Sequence, residues 1–98
     1  MVNLESIEAA AARIGASIYE SPLMHSKMLS RLTKNSVFLK LENLQMTGAF
    51  KERGALNRIL TLTDEERRQG VIAASAGNHG QGVAYHATER GIPAQIWM

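Results

Sequence analysis

Two short stretches of the chain hold residue types that could do chemistry. In "TGAFKERGA", residues 47–55, Lys51 stands between a Thr-Gly pair and the first turn of an expected helix. In "VIAASAGNHGQGVAYHA", residues 71–87, an apolar run meets a glycine-rich turn and then a helix. A lysine amine is a covalent catalyst in its neutral form, condensing with a carbonyl to give a Schiff base. A helix N-terminus carries partial positive charge and unpaired N–H donors, so a protonated lysine there is mildly disfavoured. Thr47, Gly48 and Ala49 leave room for a flat ligand, and Phe50 can pack beneath it. The same stretch also reads as an ordinary amphipathic helix start, with Lys51, Glu52 and Arg53 in solvent.

In the second stretch Gly77, Gly80 and Gly82 let backbone N–H groups converge at a helix N-terminus, which makes an anion site for a phosphate or a carboxylate. Ser75 and Asn78 add side-chain donors beside it. The G-x-x-G-x-G spacing is not the dinucleotide fingerprint G-x-G-x-x-G, and no G-K-[ST] follows as in a nucleotide P-loop. A tight turn whose glycines serve close packing is the competing reading.

The surrounding elements must bring these residues together. Asn3 can cap a helix to about Ala12, with Leu4, Ile7, Ala11 and Ile14 as its apolar stripe and Gly15 as its stop. Pro22 begins an extended piece, Ser26 to Leu32 a helical turn, and "VFLKLEN", residues 37–43, alternates as a strand. Ala49 to Leu60 reads as a helix with Ala55, Leu56, Ile59 and Leu60 inward. Thr63 and Glu66 form a capping box for a short polar helix ending at Gly70. "VIAAS", residues 71–75, suits a buried parallel strand, a helix is expected from about Gln81 to Arg90 with Gly91 as its stop, and "AQIWM" is a last strand. Strand, helix, helix, strand, helix, strand is an α/β order with right-handed crossovers.

Length and composition narrow the function classes. The 98 residues fit one folding unit at most, with 45% apolar and 20% charged residues, which is a globular composition. Eleven basic against nine acidic residues leave a net charge of +2 with the basic residues scattered, so no nucleic-acid patch is expected. There is no cysteine, hence neither a disulfide framework nor a thiolate metal site. The N-terminus has no basic and apolar regions of a secretory signal, and no apolar run reaches membrane-span length, so a soluble cytoplasmic chain is expected. His25 has no spaced partner for a metal, His79 belongs to the turn, and His86 reads as structural or surface. Met24, Met28 and Met46 read as core or loop filler, Trp97 as buried packing, and Arg53 as a partner of Glu52 or of acidic residues downstream.

"LKLENLQMTGAFKERGALN" followed by "ASAGNHGQGVA" closely resembles the pyridoxal-phosphate enzymes of the tryptophan-synthase-β fold type, and among them the threonine and serine ammonia-lyases. The resemblance implies a fold type II α/β enzyme of two domains, of which residues 1–46 would belong to the large domain and 47–98 would start the small one. It implies pyridoxal 5'-phosphate as cofactor, bonded by Lys51, with Phe50 beside it and Asn78 at its phenolic oxygen. It also implies that Ser75, Ala76, Gly77, Asn78 and His79 hold the carboxylate of an amino-acid substrate. Ala49 stands where the family has serine, and Gly80 where alanine is common. The family's phosphate-binding glycine loop lies beyond position 98, so these residues are expected to be an N-terminal piece, inactive alone, of a homo-oligomeric enzyme. The reaction implied is β-elimination to a 2-oxo acid and ammonia, with serine racemase, threonine synthase and a non-catalytic phosphate-binding module as alternatives. No metal, nucleic acid or membrane enters the reading.

Overall fold

A computed structural model describes all residues from Met1 to Met98. Helix α1, Leu4–Ile14, starts under a capping box in which the Asn3 side chain accepts from Ser6 N–H and the Ser6 hydroxyl from Asn3 N–H. Strand β1, Leu23–His25, leads into α2, Lys27–Thr33, capped by Ser26, and returns as β2, Phe38–Lys40. A 3-10 turn, Glu42–Leu44, precedes α3, Lys51–Leu60. Helix α4, Asp64–Gln69, carries the expected Thr63–Glu66 capping box, and β3, Val71–Ala74, α5, Asn78–Thr88, and β4, Ala94–Trp97, complete the chain.

The strands form two separate pairs. β1 and β2 are antiparallel, with Met24 opposite Leu39. β3 and β4 are parallel, with Ala73 opposite Ile96, and α5 is their crossover. The strand expected over 37–43 is therefore shorter than its alternation suggested and does not join the parallel pair. It pairs with β1 instead, because only α2 separates them in sequence and a short connection favours an antiparallel return.

The core lies where α3 and α5 pack on the parallel pair. Ala55, Ala73 and Val83 meet with Val71 and Ile96 against them, and Ile59, Leu62, Ala87 and Ile92 continue the cluster. Leu56 is fully buried. Side chains alternate along β3, so Ala73 points into this core while Ile72 is 73% exposed on the other face. The two-sided burial expected of β3 is thus one-sided here. Trp97, expected as buried packing, is 66% exposed on the same strand pair, and of the α1 stripe only Ile14 is buried. Met24 and Met28 are exposed, whereas Met46 is half-buried and its sulfur accepts from the Tyr85 hydroxyl at 2.9 Å.

The parallel ladder begins at Gly70, whose φ of 92° is open to glycine and strained for other residues. A β-carbon there would stand 2.5 Å from the Pro93 carbonyl oxygen, the acceptor for Val71 N–H at 2.8 Å.

Candidate functional site

Lys51 is the first residue of α3, which starts two residues after the expected Ala49, and its neighbour Phe50 is the N-cap without a side-chain hydrogen bond. Both are exposed, and Lys51 enters none of the three ion pairs. The packing of Phe50 beneath a ligand, and the desolvation of the amine, are therefore not supplied by these residues. What surrounds Lys51 is a fastened backbone. Thr47 donates its N–H and its hydroxyl to Glu52 Oε2 at 2.9 and 2.6 Å. Arg53 grips Glu42 with two donors, Nε to Oε2 at 2.6 Å and Nη2 to Oε1 at 2.8 Å. Glu42 also accepts from the Ser21 hydroxyl, and chiefly through the Arg53 hydrogen bond its carboxyl is lowered to about 2. Arg53 thus pairs upstream, with neither Glu52 nor a downstream acid, because the 3-10 turn carries Glu42 alongside α3.

Glu52, assigned to solvent by the sequence reading, is fully buried. The signal for it was present: residues 52, 55, 56 and 59 follow the i, i+3, i+4, i+7 stripe that faces a core. His86 is 1% exposed, and burial pushes its imidazole below the ordinary range. Glu52 Oε1 and His86 Nε2 are the buried side-chain polar atoms without a partner.

The glycine-rich turn is tighter than its spacing suggested. Ser75 N–H continues the ladder to the Trp97 carbonyl at 2.9 Å, and Gly77 N–H donates to Ser75 Oγ at 3.3 Å. Helix α5 then starts at Asn78 rather than near Gln81, so His79, Gly80 and Gly82 are helical. Gly80 and Gly82 do not open the turn; they admit neighbours. A β-carbon on Gly80 would lie 2.9 Å from the Ser75 carbonyl oxygen, and one on Gly82 would lie 3.0 Å from Glu52 Cα. Gly77 is the open position, with nothing within 4 Å of a β-carbon, and as N-cap it leaves the first turn without a side-chain cap. With no side-chain cap, the first turn of α5 keeps the unsatisfied N–H groups and partial positive charge of a helix N-terminus.

Three successive contacts set the direction of the two helices. Gly82 meets Glu52, Val83 meets Ala55, and Ala87 clusters with Ile59. Helices α3 and α5 therefore run the same way, and their N-termini share the end at which β3 delivers its carboxyl terminus. Gly82, against the residue next to Lys51, stands about 6 Å of helical rise from Asn78. Open α/β sheets bind ligands at this end. At this end Ser75, Ala76 and Gly77 line a cleft of about 250 Å³ with Ile96 and Met98, whereas His79 lines a separate one of about 350 Å³ that runs between α3 and β3 as far as Gly70. His79 is thus turned toward α3, and Lys51 lines neither cleft.

Comparison with known proteins adds to this geometry. The family described as pyridoxal-phosphate dependent enzyme matches residues 14–98. All of the chain aligns with a catabolic L-threonine dehydratase of Staphylococcus aureus at 56% identity, covering 29% of that protein. All of it also aligns with an L-threonine ammonia-lyase of Thermotoga maritima at 50% identity, covering 24%. The structure of maize serine racemase superposes with a TM-score of 0.89 at 42% identity, over 97% of this chain and 30% of that one. The chain thus spans less than a third of the length of these relatives.

Proposed function

Because the chain belongs to the pyridoxal-phosphate dependent enzyme family, we propose that Lys51 is the residue that bonds the cofactor and that the whole protein is a threonine or serine ammonia-lyase. The observation that supports this reading is that Lys51, exposed at the start of α3, lies at the same end of the fold as the α5 N-terminus, which has no side-chain cap. Both 50% and 56% identity to relatives named for threonine support the substrate class.

The residues present fit the aldehyde end of pyridoxal phosphate. Lys51 is free to reach it, the flank at Gly77 is open, and Phe50 and Asn78 stand exposed at the same end. When bound, the cofactor supplies an electron sink for charge left at the substrate Cα. The chain's own residues do the rest. Ser75, Ala76, Gly77, Asn78 and His79 receive the substrate carboxylate, on the Ser75 hydroxyl and the backbone N–H groups of the α5 first turn. Holding the carboxylate aims the Cα–H bond at Lys51, which makes proton transfer effectively intramolecular. Lys51 Nζ takes that proton, and the β-hydroxyl group departs. Hydrolysis of the eliminated product gives a 2-oxo acid and ammonia.

A second reading is favoured by the 0.89 TM-score with a serine racemase. Reprotonation of Cα on the face opposite Lys51, in place of loss of the β-hydroxyl, would then invert the configuration. Borohydride reduction of the full chain with pyridoxal phosphate, followed by peptide mapping, tests the shared premise: label on Lys51 is expected, and label elsewhere or nowhere sinks it. Release of 2-oxobutanoate from threonine, against D-serine from L-serine, then separates the two reactions. The 98 residues alone are expected to give no turnover.

A further inference from the structure

We propose that Glu52 is a positioning residue for Lys51, closing the segment 47–52 into a ring that holds the lysine backbone against α5. The inference rests on the reading of Lys51 as the cofactor-bonding residue.

Packing does not explain a carboxylate at position 52. The side chain is fully buried at the start of the stripe continued by Ala55, Leu56 and Ile59, and a leucine there would complete an apolar face at less desolvation cost. What a carboxylate adds is an acceptor for both donors of Thr47, its N–H at 2.9 Å and its hydroxyl at 2.6 Å. These two bonds span Gly48, Ala49, Phe50 and Lys51, so the loop that enters α3 is tied to the helix it enters. Ala49 inside the ring is itself buried at 7% exposure.

The ring has a backing. Gly82 brings α5 onto Glu52 so closely that a β-carbon would lie 3.0 Å from its Cα and 3.3 Å from its N. His86, four residues further along the same face of α5, is buried as well, and its Nε2 shares with Glu52 Oε1 the lack of a partner. On the other side, residue 53 is gripped by Glu42. Lys51 therefore projects from a backbone fastened at the next two residues while its amine stays free.

The test uses the full chain. Covalent capture of pyridoxal 5'-phosphate is followed by stopped-flow absorbance and trapped with borohydride. Affinity for pyridoxine 5'-phosphate, which lacks the aldehyde, reports the remainder of the site. Glu52→Leu fills the space without the clasp and is expected to slow capture about tenfold or more while analogue affinity stays within about twofold. Glu52→Gln keeps an acceptor oxygen for Thr47 and is expected to restore capture to near the wild-type rate, with Thr47→Val, which loses one of the two bonds, between them. Wild-type capture by Glu52→Leu, an equal loss of analogue affinity, or a Glu52→Gln as slow as Glu52→Leu overturns the proposal. Should Glu52→Leu not fold, Thr47→Val at the wild-type rate does so. Absence of label on Lys51 in the wild type is a different failure, that of the functional reading itself.

Discussion

Gly82 lies on the backbone of Glu52, with room for a hydrogen where any other residue carries a β-carbon. This contact sets the distance between α3 and α5 near their N-termini, and through it the separation of Lys51 from the turn at Ser75–His79. A helix pair in contact at this depth has little freedom to adjust, since a displaced side chain can swing aside and a backbone atom cannot.

Gly82→Ala is accordingly expected to destabilise the full chain by about 1–3 kcal/mol, because the added methyl meets Cα and N of Glu52 rather than a side-chain end. Gly77→Ala is the contrast. Its β-carbon meets nothing within 4 Å, so no packed neighbour is displaced and the stability loss should be smaller than that of Gly82→Ala. The methyl would instead crowd the place proposed for the substrate carboxylate and raise KM. Thermal unfolding and steady-state kinetics of both variants check the pair, and equal stability losses would contradict it.

The local order of the chain was legible because its signals are local. Asn3 and Thr63 cap the helices they precede and Gly70 stops α4, as read, while Ser26, read as the first residue of a helical turn, is its N-cap, and α3 opens at Lys51, two residues after the expected Ala49. Lys51 and the Ser75–His79 stretch could be singled out from residue types and the resemblance they carry. Relations across the fold were not legible. Glu42 reaches Arg53 only because a 3-10 turn runs beside α3, and no periodicity encodes that. Gly80 and Gly82 looked like turn glycines since their neighbours, Ser75 with Ile96 and Glu52, are set by tertiary packing. Exposed Ile72 and Trp97 were expected inside because an apolar strand does not say which of its faces these residues cover.

Lys51→Ala should leave folding intact and remove covalent capture. The side chain is exposed and enters no ion pair, so the stability change is expected within about 0.5 kcal/mol. Borohydride-stable label on the full chain should fall to background while the urea midpoint is unchanged. A large loss of stability would show that the lysine serves the fold.

Glu42→Gln should cost stability at neutral pH and not in acid. The folded carboxyl is held at about 2 against an ordinary 4.5, chiefly by its hydrogen bond from Arg53. A lowered acid contributes stability above its unfolded value and loses it as pH falls toward the folded one. The variant is expected to be weaker near neutrality by at most about 3 kcal/mol, and the deficit should close between about pH 4.5 and pH 2. Urea midpoints of both proteins across that window decide it, and a deficit independent of pH would mean the pair acts by shape alone.

His86 should make the fold acid-sensitive at a higher pH. Burial is the main cause of its lowered basicity; Arg90 adds to it, while Glu52 and Glu89 oppose it. Its Nε2 has no partner, so a proton placed there gains no hydrogen bond within the protein. The unfolded imidazole binds its proton near pH 6.5 and the folded one only at lower pH, so the unfolded state carries more protons between the two values. Stability contributed by the neutral ring is complete above about pH 6.5 and is lost as pH falls toward the folded value, by up to about 1.4 kcal/mol per pH unit. His86→Leu removes both the titration and the unpaired nitrogen at similar volume, so its stability at neutral pH should stay within about 1.5 kcal/mol of the parent. Its urea midpoint should then fall less steeply between about pH 6.5 and pH 5 than that of the parent. Parallel midpoint curves for the two proteins would assign the acid sensitivity to other groups.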